Sequence, residues 1–574
     1  DADSIDEITA LGYETGFFRD LDLFAYALLP TTATDAEVYS VIKYLVEVKG
    51  ATKNPTGSLY LYWRARTDLV APKFDALDFS GVTNLRNSWL DCTSLTTFPV
   101  IDTSSVTDIN YGWKSCTSLA AFPALDLSSV TDVSYAWRDC TALTTFPAIP
   151  FTAGTNFSST WQNCTSLTSF LPTDFTAGVS YNYAWNGCTS LVTFPAIALT
   201  AGTQFPNTWA GCTSMTSFPA LALTAGITFS YAWHQCTALT SFLATGLDSG
   251  TDFTYAWRDC TSLTTFPAIP LTAGTNFSSA WYNCSSMTSF LATGLDSGTN
   301  FSYAWNGCSS LTSFPAIPLT AGTNFGYAWK GCTALTTMPA ISLAAGTTFI
   351  GAWNGCTSLT SFLATDLTSS WDFYTTWQNC TSLVTFPAIP LTGGSRFQGA
   401  WAHCTAMTTF LATDLDKGTN SNFISAWTGC TALTTMPAIP LTGGTNYSYA
   451  WYNCTALTSF LATGMNLGTS FTYAWTNCSS LANFPANVFD SWNPASVTDN
   501  CFKTAWSGCT SLTATSVENI LNSLATAGVA APSSGVDITI SYDAGTGTPS
   551  IASAVATLKG LSPAWTITLN GVAQ

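Results

Sequence analysis

A single pattern of hydrophobic and polar positions recurs along most of the chain. Its most regular element is a tryptophan followed three residues later by a cysteine, which repeats every 24 residues from Trp89 to Trp401. Further units extend the series to Trp506 and bring the number of Trp-x-x-Cys units to 18. A repeat of this length predicts a solenoid, in which each unit forms one coil and the stacked coils supply the hydrophobic core.

The first half of a unit predicts a short helix or 3₁₀ turn. In residues 251–274, apolar side chains occupy the i, i+3, i+4 and i+7 positions of one helical face, namely Phe253, Ala256, Trp257 and Cys260. Asp252 precedes them, and its side-chain oxygen can accept the free N–H groups of a helix start. Its counterparts in other units include Asp108, Asp132, Asn156, Asn276, Asn300, Asn324, Asp372 and Asn446.

The second half of a unit predicts a short parallel strand. Alternation places Phe266 and Ala268 toward the core, whereas Pro267 and Ile269 face outward. Proline removes one backbone donor from the sheet. The coils on either side read Phe-Leu-Ala-Thr at this point, so we expect the neighbouring coil to keep its N–H group.

These residues resemble a known family. Residues 125–137, followed by Cys140, Leu143 and Phe146, are similar to the BspA-like leucine-rich repeat of bacterial surface antigens, surface lipoproteins and some phage appendage proteins. The resemblance covers residues 77–515 and implies right-handed, leucine-rich-repeat-like α/β coils. Two departures are that tryptophan stands where the family commonly has phenylalanine, and that Pro-Ala-Ile replaces a more polar strand.

Both ends depart from the repeat. We expect residues 1–76 to form an N-terminal cap or docking segment, with one amphipathic helix over 34–49 that begins at the capping box Thr34 to Glu37. Residues 516–574 alternate between helical and strand patterns, which predicts a C-terminal α-β-α-β cap that starts at Ser516. This closing segment resembles the tail of similar repeat arrays in phage structural proteins.

The charge and hydropathy of the chain exclude some classes of binding partner. Only 9% of residues are charged, the net charge is −17, and the basic residues form no cluster that could grip a phosphate backbone. We therefore expect no nucleic acid partner. The longest apolar runs fall far short of the roughly 20 residues needed to span a bilayer, so we expect no membrane insertion.

Candidate catalytic chemistry is sparse. Of 19 cysteines, 18 occupy one repeat position, which predicts a ladder of buried, reduced thiols rather than disulfides or a zinc site. His234 and His403 are seven coils apart and cannot share a site. Acidic pairs such as Asp414 and Asp416 are interpreted as solvated turn residues, with weak calcium binding as the alternative. We expect no enzyme activity, no cofactor and no metal.

A tyrosine two residues before the repeat tryptophan is the candidate binding position. It lies off the predicted buried face, and an aromatic row there could stack on sugars or pack against a neighbour, with partial burial between coils as the alternative. The row consists of Tyr111, Tyr135, Tyr183, Tyr231, Tyr255, Tyr303, Tyr327, Tyr449 and Tyr473.

The outward residues of the strands form a second candidate surface. They are uncharged and half apolar, and soluble monomers seldom expose large apolar patches. We expect this face to hold copies of the chain together in a homo-oligomer, with a trimer as one form, or to serve as the ligand groove. Its representative residues are Pro147, Ile149, Pro267, Ile269, Pro387 and Ile389.

The family resemblance implies an extracellular or virion-surface protein that binds without catalysis. We expect a structural and adhesive repeat protein, first a phage appendage or fibre that displays a face for a host-surface glycan or protein alongside other virion proteins. The alternatives are a bacterial cell-surface adhesin of the BspA-like type and an ice-binding solenoid. The last is suggested by regular threonine pairs such as Thr144 and Thr145.

Overall fold

The computed structural model describes residues 57–59, 63–67, 69–71, 78–532 and 537–574. The chain divides into two compact units, Asp1–Gly274 and Thr275–Gln574, which we call unit 1 and unit 2. In each unit the backbone winds as a right-handed parallel β-solenoid, and bridges join residues one coil apart, such as Asn156 and Ser180. The helix predicted over 34–49 lies outside the described residues.

The strands of the coils are two or three residues long. In unit 1 they are β1 (Gly57–Ser58), β2 (Val82–Asn84), β3 (Thr145–Phe146), β4 (Ser169–Phe170), β5 (Ser217–Phe218), β6 (Ser241–Phe242) and β7 (Thr265–Phe266). In unit 2 they are β8 (Ser289–Phe290), β9 (Thr337–Met338), β10 (Ser361–Phe362), β11 (Thr385–Phe386), β12 (Thr409–Phe410), β13 (Ser421–Asn422), β14 (Thr435–Met436), β15 (Gly444–Asn446) and β16 (Ser459–Phe460).

The segment before each cysteine is a series of tight i→i−3 turns, so of the two predicted alternatives the 3₁₀-type turn fits and a regular α-helix does not form. Every second backbone N–H group of this segment bonds the next coil rather than its own. The N–H groups of Tyr231 and Trp233, for example, donate to carbonyl groups of the next coil at 2.8 Å. The residues between the donating ones close four-residue turns instead, as Ala232 does on Phe229 at 3.0 Å and His234 does on Tyr231 at 3.1 Å. A continuous i→i−4 ladder cannot form when every second donor points along the stack. The same apolar spacing fits both structures.

The predicted capping residues cap these turns. Asp252 Oδ1 accepts the backbone N–H of Thr254 at 3.0 Å, and the corresponding bond is present at all nine predicted positions. Each Asp or Asn therefore bonds the backbone two residues on, as in an Asx turn. The residue type was predicted correctly, and its structural role is that of a turn rather than a helix start.

Several strand pairs join a proline coil to a leucine coil. In the β5–β6 pair, Leu243 and Thr245 donate to the carbonyl groups of Phe218 and Leu221 at 3.1 and 2.7 Å. Pro219 has no N–H to extend the ladder beyond β5. The pairs β3–β4, β9–β10, β11–β12 and β14–β16 repeat this order, with proline in the first coil and leucine in the second. The expectation that the neighbouring coil keeps its donor is confirmed.

Leu243→Pro tests whether the leucine coil supplies the backbone donor that the proline coil lacks. The variant loses the N–H that bonds Phe218, and we expect the free energy of unfolding to fall by about 1–2 kcal/mol. Chemical denaturation followed by tryptophan fluorescence measures the change. Pro219→Leu is the matched control, because it restores a donor at the same position of the adjacent coil. An equal loss in both variants would contradict the pairing scheme.

The isoleucines of the predicted outward face are buried, which corrects that prediction. Ile149 is fully buried, and Ile269 and Ile389 are each 5% exposed. The cause is a tight turn: the N–H of Ile269 bonds the carbonyl of Pro267 at 2.8 Å, which ends the alternation and turns the side chain inward. Ala268, predicted to face inward, is exposed instead. Pro147, Pro267 and Pro387 remain half-buried at the surface.

Stacked indoles form the core of each unit. In unit 1 the rings from Trp63 to Trp257 follow one another at 5.0–5.9 Å with interplanar angles of 9° or less. In unit 2 the rings from Trp281 to Trp506 are spaced at 5.2–5.7 Å. Trp63 shows that the coils begin before residue 77, so that boundary falls inside the solenoid.

The last part of unit 2 changes from turns to helices. It comprises α1 (Ala514–Ala527), β17 (Asp537–Ile540), a 3₁₀ turn (Ala544–Thr546), α2 (Ala552–Gly560), β18 (Thr566–Leu569) and β19 (Val572–Ala573). Thr513 rather than Ser516 caps α1, because its side chain accepts the N–H of Ser516. A bridge from Trp506 to Ile540 joins β17 to the last tryptophan coil. The helix-strand-helix-strand order matches the sequence prediction, with β19 added.

Candidate functional site

The predicted tyrosines occupy one position of the turn segment. All nine adopt a left-handed backbone conformation, with φ between 56° and 61°. None belongs to the buried core: Tyr183, Tyr303 and Tyr449 are 41%, 39% and 39% exposed, and the others are half-buried. The row therefore lies off the buried core, and six of its nine rings show the partial burial that was the alternative prediction.

The left-handed conformation belongs to the fold and not to tyrosine. Other coils place Ser159, Asn207, Gly351 or Gly399 at this position with the same sign of φ. A left-handed residue costs roughly 1–2 kcal/mol when it carries a Cβ, and only glycine, asparagine and aspartate visit this region routinely. Tyrosine at this position therefore raises the conformational free energy of the folded chain. Strained backbone that recurs at one surface position points to a role for the side chains it carries.

The tyrosines stack in pairs across adjacent coils. In unit 1 the rings of Tyr111 and Tyr135 lie 4.5 Å apart at 4°, and those of Tyr231 and Tyr255 lie 4.5 Å apart at 13°. Unit 2 holds two more pairs, Tyr303 with Tyr327 and Tyr449 with Tyr473. One face of each ring is therefore covered by its partner. Ring edges, hydroxyl groups and the outer faces are what each pair offers a ligand.

Cations sit beside most of these pairs. Lys114 and Arg138 each follow a tyrosine by three residues. They lie 5.5 and 5.7 Å from the ring centres of Tyr111 and Tyr135. Arg258 and Lys330 repeat the arrangement over the second tyrosine of the next two pairs. Burial and the neighbouring Tyr135 hydroxyl raise the pKa of Tyr111, so its phenol stays neutral. Such cation–ring contacts contribute about 0.5–1 kcal/mol at exposed sites.

One polar cluster in unit 2 escaped the sequence analysis. Arg396 Nη1 lies 2.7 Å from Oδ2 of the fully buried Asp372, and its guanidinium stacks 4.8 Å from the ring centre of Tyr374. Trp371, next to Asp372, is 51% exposed, unlike the buried repeat tryptophans. Comparison of each coil with the repeat pattern could have found it, because Trp and Arg stand where other coils carry Thr and Asn.

The thiols form an inert ladder. Within each unit, repeat cysteines donate their S–H to the carbonyl of the tryptophan one coil earlier, for example Cys212 to Trp185 at 3.2 Å. Burial raises the pKa of Cys188 and Cys236 to about 12, so both remain protonated thiols near neutral pH. The thiolate is the reactive form, and these side chains are poor nucleophiles.

The histidines and carboxylates do not assemble into a metal site in the part of the chain that the structure describes. No group of three or more His, Cys, Asp or Glu side chains there is arranged to hold an ion. His234 Nε2 lies 3.7 Å from Asp259 Oδ2, and burial lowers the pKa of His234. The imidazole is therefore mainly neutral at physiological pH.

Coils of 24 residues with parallel bridges, an inward leucine and an inward cysteine define a leucine-rich-repeat-like solenoid. The resemblance to BspA-like repeats is thus confirmed at the level of the fold. A leucine-rich repeat protein from Bacteroides ovatus aligns with 68% of this chain and 88% of its own, at 15% identity and a TM-score of 0.32.

Two further solved structures are similar. A leucine-rich cell surface protein from Faecalibacterium prausnitzii aligns with 54% of this chain and 83% of its own, at 18% identity and a TM-score of 0.29. The functional domain of InlJ from Listeria monocytogenes, which includes a cysteine ladder, aligns with 66% of this chain and 71% of its own, at 12% identity and a TM-score of 0.20. Since these scores lie below 0.5, the fold class rests on this chain's own geometry.

No protein-family model and no curated protein sequence matches the chain. Among the described residues, none of the helices has the length and apolar character needed to cross a membrane.

Proposed function

We propose that the chain is a non-enzymatic structural and adhesive repeat protein that works outside the cell and binds a host-surface glycan or protein through its tyrosine row. The stacked core supports the structural part, because buried indoles and protonated thiols fill the described interior coil after coil. The tyrosine row supports the adhesive part, because it retains a strained backbone position for an aromatic side chain in nine coils.

A phage appendage or fibre is the first setting we propose, and a bacterial cell-surface adhesin is the second. The phage setting is supported by the closing segment, whose α-β-α-β order resembles the tail of repeat arrays in phage structural proteins. Gold-labelled antibody against the chain, applied to purified virions and to cells of the source culture, separates the two. Label on the virion supports the first setting, and label on uninfected cells supports the second.

Threonine hydroxyls argue against ice binding. In the exposed threonine column, Thr168 Oγ1 donates to the carbonyl of Thr144 at 3.1 Å, and Thr240 Oγ1 donates to Thr216 at 2.9 Å. These hydroxyl protons already bond the preceding coil. They are therefore not free to donate to an ice lattice.

The tyrosine row is tested by replacing Tyr111 and Tyr135 with serine, the residue that unit 1 places at the same position in Ser159. Serine fits this backbone position, so we expect folding to be retained. Aromatic hot-spot residues contribute 2 kcal/mol or more to binding, so we expect affinity for a glycan or surface-protein ligand found by array screening to fall by about 30-fold. Surface plasmon resonance measures the loss.

The matched control is Ile227→Ser, which removes a similarly exposed apolar side chain from a different row of unit 1. Unchanged ligand affinity in the double tyrosine variant would contradict the proposed binding role. So would an equal loss in the control.

A further inference from the structure

A second surface row runs through both units. In 17 of the 18 Trp-x-x-Cys units, the residue directly after the Phe or Met of the strand segment is proline or leucine, and we call these residues the proline–leucine row. In unit 1 they are Pro99, Pro123, Pro147, Leu171, Pro195, Pro219, Leu243 and Pro267; in unit 2 they are Leu291, Pro315, Pro339, Leu363, Pro387, Leu411, Pro437, Leu461 and Pro485.

The leucines of this row project into solvent. They are 53% and 52% exposed in unit 1 and 42–49% exposed in unit 2. Every proline of the row is half-buried. The alanine that follows is exposed in proline coils, as at Ala220, and buried in leucine coils, as at Ala244. The surface therefore has raised leucine steps and lower proline–alanine steps, each one coil wide.

This surface carries no charge. We define the strand face as the five residues from two before to two after the buried Phe or Met, which are residues 96–100 in the first coil and 482–486 in the last. The strand face contains no Asp, Glu, Lys, Arg or His in any coil, although the chain as a whole carries a net charge of −17. Two copies repel each other elsewhere on their surfaces, and the strand face is where that repulsion is weakest.

The size of the strand face can be estimated for each unit separately. Four backbone steps of about 3.3 Å give a width of about 13 Å, and each coil adds about 4.8 Å. The strand face thus covers about 500 Å² in unit 1 and about 560 Å² in unit 2. Each area lies below the roughly 800 Å² that each partner buries in a standard interface, so we expect the strand faces of both units to take part in the contact.

We propose that the strand face is the contact between two copies of this chain, packed lengthwise with leucine steps of one copy over proline–alanine steps of the other. A second copy has the same step of one coil, so the rows of the two copies stay in register along each unit. Two-fold symmetry lets one patch bind itself. The proposal corrects the face predicted from the sequence, because the exposed leucines replace Ile149, Ile269 and Ile389. It does not depend on the tyrosine row.

The test places charge on the row. Leu171→Lys with Leu243→Lys alters unit 1, and Leu363→Lys with Leu411→Lys alters unit 2. We expect the parent to show twice its mass of 60.9 kDa in light scattering at micromolar concentration. Burying unpaired lysines in the contact is expected to weaken association by at least about 100-fold, so that each double variant shows the mass of one chain.

The matched control is Val179→Lys with Ile227→Lys, two side chains of similar exposure, 41% and 46%, that lie outside the strand face. It should keep the doubled mass. Near-ultraviolet circular dichroism checks that the indole stack is intact in all variants. A parent that stays monomeric at about 100 μM would overturn the proposal and leave the face to a different molecule. A doubled mass in both leucine variants, or a monomeric control, would overturn it as well.

Discussion

Trp209→Ala is expected to destabilise unit 1 by about 3–5 kcal/mol. The indole is fully buried, stacks on Trp185 and Trp233 at 5.9 and 5.4 Å, and meets the ring of Phe218 edge-on at 4.8 Å. Alanine leaves a cavity in the stack, because the Trp209 ring contacts a neighbouring indole on both sides. Because solenoid contacts join adjacent coils, the loss should appear first in the flanking coils. Hydrogen exchange over residues 185–240 measures it.

The control for this prediction is Tyr183→Ser in the adjacent coil. Its side chain is 41% exposed and its backbone is left-handed, so the change should be close to neutral. If exchange around Trp185 and Trp233 were as slow in Trp209→Ala as in the parent, the stacked indoles would not be what holds the coils together.

Alkaline pH is expected to unfold both units. Burial raises the pKa of Cys188 and Cys236 in unit 1, and of Cys356 and Cys404 in unit 2, from 9.0 to about 12. The folded chain therefore favours the neutral thiol. The contribution of these neutral thiols to the free energy of unfolding is fully present below pH 9, where the thiols of the unfolded chain are also protonated. It is lost as pH rises from 9 toward 12.

Each such thiol costs about 1.4 kcal/mol of stability for every pH unit above 9. Because many buried thiols act together, we expect cooperative loss of the native tryptophan fluorescence and near-ultraviolet circular dichroism between pH 9 and 11. Cys236→Ala is the matched variant, since it removes one titrating group from the ladder and should move the midpoint to higher pH. A native signal that persists at pH 11, or a midpoint that Cys236→Ala leaves unmoved, would contradict the account.

The coil period and the identity of the core were predictable from the sequence. Tryptophan, cysteine and the inward leucine each recur at one register, and only a stack of equivalent coils can bury all of them. The Asp and Asn positions were predictable too, because their side chains suit any segment that begins with free N–H groups. What the sequence left open was whether that segment is helical, since a helix and a chain of turns place the same residues inward.

The strand face shows a different limit of sequence reasoning. Alternation predicted Ile269 outward and Ala268 inward, but the turn closed on the Pro267 carbonyl reverses both. A hydrogen bond from an N–H group to the carbonyl two residues earlier depends on backbone angles that the residue pattern does not encode. The tyrosine row was found by its position relative to the helical face, whereas its left-handed backbone could not be foreseen, because tyrosine is not typical of that conformation.

The central claim is that residues 24 apart lie one coil apart along a stack, and distances between spin labels test it most directly. Thr107, Thr131, Val179 and Ile227 are exposed members of one row in unit 1 and can be changed to cysteine in pairs. The native cysteines are buried, so mild labelling should spare them. Pulsed electron paramagnetic resonance should give about 14 Å for Thr107 with Val179, about 19 Å for Thr131 with Ile227, and about 24 Å for Thr107 with Ile227. Distances that do not grow by about 4.8 Å per 24 residues would contradict the stacked-coil structure.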